Sequence, residues 1–130
     1  MSDLSQSYPP EPSSVARVRH ALVRLASAAG AAREQLDAVG LAVSEAMTRA
    51  VTRSRAPIHV SAALASDGLA VSIADGAAAV PRDLLAGAAP GLPPGLDLAL
   101  IAELSDAVVV AHRPSGGRAL TMRFGLSPRT

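Results

Sequence analysis

The chain has 130 residues, 49% of them hydrophobic and 18% charged, the composition of one globular domain rather than of a disordered segment. A formal net charge of +1 gives no electrostatic pull toward nucleic acid or an anionic membrane surface. The sequence contains no Cys, Lys, Trp or Asn, which excludes disulfides, thiolate metal sites, thiol chemistry, a P-loop lysine and Schiff-base catalysis.

Residues 1–12, MSDLSQSYPPEP, are polar and proline-rich and read as a flexible tail. Ser13 or Ser14 is placed to cap a helix whose apolar stripe is Val15, Val18, Leu22, Leu25 and Ala29. Gly30 supplies the left-handed residue that commonly closes a helix. A second helix is predicted from about Ala32 to about Ser54. Leu36, Val39, Val43, Met47 and Ala50 give it one buried face at helical spacing. Ala38, Leu41 and Ala42 line another side, so the helix should be covered on both sides at mid-length. Glu45 and Arg49, four residues apart, would then stand near a pocket rim. As a plain surface ion pair they would contribute ~0.3–0.5 kcal/mol. Arg53 and Arg55 extend a small basic cluster of the kind that usually faces solvent.

Pro57 opens a strand in which Ile58, Val60, Ala62 and Leu64 alternate with the opposite face. Ser66-Asp67-Gly68 is a hairpin signal, because Asp-Gly readily takes positive φ. Leu69, Val71 and Ile73 continue the alternation to Asp75-Gly76. Gly76 to Pro94, rich in Ala, Gly and Pro, reads as a loop or lid with one helical turn around Arg82 to Ala86. A short helix follows over Leu96 to Leu104, then a strand over Ala107 to Ala111. A turn over Arg113 to Gly117 leads to a last strand on which Leu120, Met122 and Phe124 alternate.

Two hairpins with helices segregated to one face make an α+β fold, a two-layer α/β sandwich. Its domain spans residues 13–126, with a C-terminal tail at 127–130. The expected core joins Val15, Val18, Leu22, Val39, Val43, Met47, Ile58, Val60, Val71, Ile73, Leu100, Leu120 and Met122. His20, His59 and His112 lack ligand spacing, so no metal site is expected from them. The sequence begins with no charged-then-apolar leader and contains no apolar run near the ~20 residues of a membrane span. A cytoplasmic location is expected.

Four segments, in order, resemble the GHKL (histidine-kinase-like) ATPases, and most closely the bacterial anti-sigma-factor serine kinases. LAVSEAMTRAV, from Leu41 to Val51, is similar to that family's ATP-binding helix, L-x-V-S-E-A-x-T-N-A-V. By this resemblance Glu45 is the general base and Arg49 stands where the family holds magnesium with asparagine. VSIADGAAAVP, from Val71 to Pro81, resembles the first glycine box. There Asp75 matches the acceptor for the adenine amino group, and Gly76 follows it. PPGLDLALIAELSD, from Pro93 to Asp106, resembles the second box, with Gly95 and Leu96 matching. SGGRALTMRF, from Ser115 to Phe124, resembles the closing hairpin. The implied fold is the Bergerat, or histidine-kinase-like ATPase, fold, with helices on one face of a mixed, largely antiparallel sheet.

The departures gather on phosphate and metal recognition. Besides Arg49, Ala77 and Ala79 replace first-box glycines, Pro93 replaces the leading second-box glycine, and Arg118 replaces a threonine near the phosphates. An alanine methyl bars the tight backbone approach that a phosphate loop needs, and proline removes an N–H. The resemblance therefore implies an anti-sigma regulatory, protein-binding domain with a degenerate ATP site and no cofactor. The alternative is an active ATP- and magnesium-dependent serine/threonine kinase acting on a STAS anti-anti-sigma protein, and a third reading is a kinase-like module that binds another regulator. The implied partners are a sigma factor, a STAS protein, or both, with a homodimer possible and neither nucleic acid nor membrane involved. Arg17, in VARV of the first helix, matches a partner-binding arginine of the sporulation-type anti-sigma factors.

Overall fold

The computed structural model of the chain describes residues 3–75, 98–112 and 117–126. Alternation of apolar side chains decides which face of each strand turns inward. β2 (Ile58–Ala65) and β3 (Gly68–Asp75) form the central hairpin, and β5 (Arg118–Gly125) lies on the far side of β3. β1 (Leu4–Tyr8) and β4 (Ala107–His112) are the two edges, giving the order β1-β2-β3-β5-β4. Every pairing is antiparallel, so among the described residues the sheet lacks the parallel component expected of a mixed one. The inward ladder follows from register. Val60 stands opposite Ile73, Ala62 opposite Val71, Val71 opposite Met122 and Ile73 opposite Leu120.

Two long helices cover that face. α1 (Ser13–Ala28) buries Val18, Leu22 and Ala26. α2 (Arg33–Arg53) buries Val39, Ala42, Val43, Ala46, Met47 and Ala50, touching α1 on one side and β3, β5 and the short α3 (Ala99–Leu104) on the other. Small residues at Gly40, Ala42 and Ala46 let it approach on both flanks. The core thus sits between the α1–α2 pair and the sheet, as the periodicity implies.

Several local expectations need correction. The polar start was expected to be a flexible tail, yet Leu4–Tyr8 forms β1, whose Tyr8 side chain is buried in the core. Asp3 ties this strand down further, accepting a hydrogen bond from the Leu64 N–H at 2.6 Å. Neither serine caps α1. Pro12 holds the N-cap position, and the buried Ser14 hydroxyl donates to the Pro9 carbonyl at 2.7 Å. The Asp67-Gly68 turn contains no positive φ; among the described residues only Gly30 has one, at 87°. Gly68 is needed for another reason, because a Cβ there would lie 2.6 Å from the Phe124 carbonyl oxygen on β5. Leu100 was placed in the core but is 45% exposed, and its neighbour Ile101 is the buried residue of α3. Leu41 is 57% exposed, so α2 is uncovered at that point. Val15 and Leu120 pack against the core only partly buried.

The start of α2 shows how the helix is anchored to the sheet. Ala32 has no side-chain oxygen to offer as a cap. The Gln35 side chain instead accepts from the Ala32 N–H at 2.8 Å and donates to the Gly125 carbonyl at 3.1 Å. One amide thereby satisfies an orphan helix donor and joins α2 to the end of β5.

Candidate functional site

The second half of α2 lies over one end of the sheet, where β3 finishes and β5 begins. Glu45, Arg49 and Arg53 follow one another at four-residue spacing and so form one stripe. Asp75 lies two residues beyond Ile73 on β3, on the face turned toward the helices, and its register partner is Arg118. Helix stripe and strand ends together bring residues 45 to 53 beside residues 75 and 118.

A cavity of about 50 Å³ opens there. Ala46, Arg49, Ala50 and Arg53 line it from α2, Ile73 and Asp75 from β3, Arg118 and Leu120 from β5, with Leu98 and Val110 completing the wall. Arg49, Asp75 and Arg118, expected at one site, do meet in this cavity. Glu45 does not line it; it stands outside, and only its partner Arg49 reaches in. Gly76, Ala77, Ala79, Pro93, Gly95 and Leu96 lie outside the described residues, as does the expected lid.

The Asp75 carboxylate is engaged on both oxygens. Oδ1 accepts from the Arg118 backbone N–H, and Oδ2 lies 3.0 Å from Nη2 of Arg53. Asp75 is only 13% exposed, whereas Arg53 reaches in from a half-solvated position. Sequence reading assigned Arg53 to a solvated basic face and missed this contact. The available signal was its spacing: Arg53 continues the Glu45–Arg49 stripe by one more turn.

Arg49 is poorly answered. Its side chain is 38% exposed, but its Nε is closed off from solvent and has no hydrogen-bond partner among the described residues. Oε2 of Glu45 is 3.6 Å from it, an ion-pair distance beyond hydrogen-bond range. Arg17 does not line this cavity; it is exposed on α1, with its guanidinium carbon 5.5 Å from the centroid of the Tyr8 ring. It is a cation resting on an aromatic face as much as a solvated one.

Residues 8–124 match the histidine kinase-like ATPase domain family. The chain belongs to that family. The Bergerat-type α+β fold expected from the helix and box motifs is the one observed, five antiparallel strands under a helical layer. Among solved structures, the chain is similar to the RsbU and RsbW domains of Rv1364c from Mycobacterium tuberculosis, with a TM-score of 0.73 and 23% identity. The likeness covers 98% of this chain but 33% of the other, so this chain spans about a third of the length of the chain it matches. At that identity the match speaks for the fold alone. No curated protein matches the chain.

Among the described residues no group of three His, Asp or Glu side chains is arranged to hold a metal ion. No helix among them is long and apolar enough to cross a membrane.

Proposed function

We propose that this domain is an anti-sigma-type regulatory module that binds protein partners and whose nucleotide site does not take up magnesium-ATP productively. The reading combines its membership of the histidine kinase-like ATPase family with the motif resemblance and with the fold it shares with a chain carrying an RsbW domain. Its partners would be a sigma factor, a STAS anti-anti-sigma protein, or both, exchanged by partner switching in bacterial transcription control. A cytoplasmic setting and a homodimer belong to the same proposal.

One observation carries the degenerate-site half of this reading. The carboxylate that would accept from adenine is already engaged by Arg53 and by the Arg118 N–H. Arg49 adds a fixed positive charge in the same cavity, at the position where the family pattern calls for a neutral metal ligand. A divalent cation brought beside Arg49, Arg53 and Arg118 would meet repulsion from all three. The residues present do not suit magnesium.

The competing reading, an ATP-dependent serine/threonine kinase acting on a STAS protein, draws on Glu45, which keeps the position of the general base. One experiment separates the two. A ligand at 100 times its dissociation constant adds ~2.7 kcal/mol of stability, several degrees in the melting of a domain this size. Millimolar magnesium-ATP is expected to produce no such shift, and no phosphate transfer to a STAS substrate. Arg49→Asn alone should not restore transfer. A clear shift that requires magnesium in the unmodified protein would overturn the proposal in favour of the kinase.

A further inference from the structure

The two long helices carry opposite charge on the faces they turn away from the sheet. α1 holds Arg17, Arg19, His20 and Arg24 and no carboxylate. Arg17, His20 and Arg24 recur at i, i+3, i+7 as one exposed row. On α2 the exposed row is Glu34, Asp37 and Leu41, continued one turn on by the half-buried Glu45. Among the described residues no ion pair joins the two rows; Glu45 pairs within α2, with Arg49. In the middle of the acidic row Leu41 is left 57% exposed.

Beside the basic row lies an open groove of about 500 Å³. Val23 and Leu36, both half-buried, are its large apolar side chains, and His20 and Arg24 line it too. An apolar knob among carboxylates on one helix thus lies near an apolar groove edged by cations on the other.

Register makes the two fit. α1 and α2 form an antiparallel helical hairpin with a short connection. A Cβ at Gly40 would meet the Val23 and Arg19 side chains, and Arg19 donates to the Ser44 hydroxyl at 3.4 Å. Continued along both helices at equal rise, that register sets Asp37 level with Arg24, Leu41 with His20, and Glu45 with Arg17. A two-fold axis parallel to the helix pair lays α1 of one copy over α2 of the other and preserves every level. Each copy then offers Leu41 to the other's groove, with Asp37 facing Arg24 and Glu45 facing Arg17, so each contact is made twice.

We infer that the outer face of the α1–α2 layer is a self-complementary docking surface for a second copy of this chain, with Leu41 seated in the Val23–Leu36 groove. The inference rests on the homodimer of the proposed function and assigns it a face; the nucleotide site plays no part in it. The 16 residues of α1 span about 24 Å, and two adjacent helices are about 20 Å wide. Such a face buries about 1,000 Å² over both copies, the lower end for a specific interface. The dimer is therefore weak, and the dilute chain is monomeric. Opposed charges fix its register, and Leu41 supplies the apolar contact.

The test is sedimentation equilibrium of the full chain from about 10 μM to about 1 mM, which spans the micromolar or weaker affinity of so small an interface. A reversible monomer–dimer equilibrium is expected, weakening as salt is raised. Leu41→Arg should weaken it about tenfold or more, whereas Leu100→Arg, at the other exposed leucine, should leave it unchanged. Arg24→Glu and Asp37→Arg should each weaken it. Combined in one chain they should restore it, because every reversed charge again faces its opposite. In the unmodified protein the methyl resonances of Val23, Leu36 and Leu41 should shift with concentration, a readout that needs no variant. A chain that stays monomeric throughout overturns both this face and the homodimer, and leaves the magnesium-ATP test of the nucleotide site standing. A dimer indifferent to Leu41→Arg, or a charge-reversed pair that fails to recover, overturns this face alone. Loss of a sigma-factor or STAS partner in Leu41→Arg with self-association intact would assign the face to that partner and overturn the inference as well.

Discussion

Arg53 and Asp75, 22 residues apart in the chain, close the end of α2 onto the end of β3 through a 3.0 Å ion pair. Asp75 also receives the first backbone N–H of β5. One carboxylate thus fastens three elements at the mouth of the cavity. Because Arg53 is 44% exposed, solvent screens its share of this work.

A double-mutant cycle should separate the two contacts. Arg53→Ala should cost no more than about 1 kcal/mol, the upper range for an exposed pair. Asp75→Asn should cost more, about 1–3 kcal/mol, because it also weakens the charge-assisted bond from the Arg118 N–H. Urea denaturation of both single variants and the double gives the coupling. Equal losses for the two single variants would mean that the backbone contact contributes little.

Core truncations should follow burial rather than hydrophobicity. Val43 is fully buried and Ile73 nearly so, so truncating either to Ala should cost about 1–4 kcal/mol. Leu41→Ser and Leu100→Ser, at exposed positions, should stay within about 0.5 kcal/mol of the parent. Denaturation midpoints at unchanged slope would check all four. A large loss at Leu41 would show that its face is covered in solution.

Two glycines should respond with opposite sign. A Cβ at Gly68 would press on the Phe124 carbonyl at 2.6 Å, where backbone must yield; Gly68→Ala should cost about 1–3 kcal/mol. At Gly40, in α2, the nearest atom would be Val23 Cγ2 at 3.4 Å, an ordinary contact. There the alanine gains helix propensity, and stability should rise by about 0.5–1 kcal/mol. Melting curves recorded side by side decide both signs.

Arg17 offers a test of the partner surface. Its cation–π contact with Tyr8 is worth about 0.5–1 kcal/mol at an exposed site, so Arg17→Ala should lower stability only slightly. If Arg17 is an anchor of a protein interface, the same change should weaken binding to a sigma factor or STAS partner by about 2 kcal/mol. An affinity that falls only as far as stability does would assign Arg17 to holding Tyr8 and nothing more.

Periodicity located α2, β2 and β3 within one or two residues because their apolar stripes are long. The short elements were harder to read. β1 has five residues, three of them exposed and polar, and its flanking prolines read as tail. α3 has six residues, too few to fix its phase, which is why Leu100 was taken for the inward Ile101. At the site, the Glu45–Arg49 contact is local and therefore legible from spacing. Arg53–Asp75 depends on how α2 crosses the sheet, and four-residue spacing carries no such information.

β1 has a consequence for the order of folding. Ser7 and His59, opposite one another across β1 and β2, are 52 residues apart in sequence, whereas β2 and β3 meet through a tight turn. Closing the longer loop costs more chain entropy and is repaid by pairing on one edge only. The α1–α2 pair and the central hairpin can form first, leaving β1 to dock on a sheet already built. Amide exchange should accordingly be faster along β1 than along β3, through local opening below the global limit. Of the five strands, the one that comes first in sequence is then the last to join the sheet, and the seam along which the domain first comes apart.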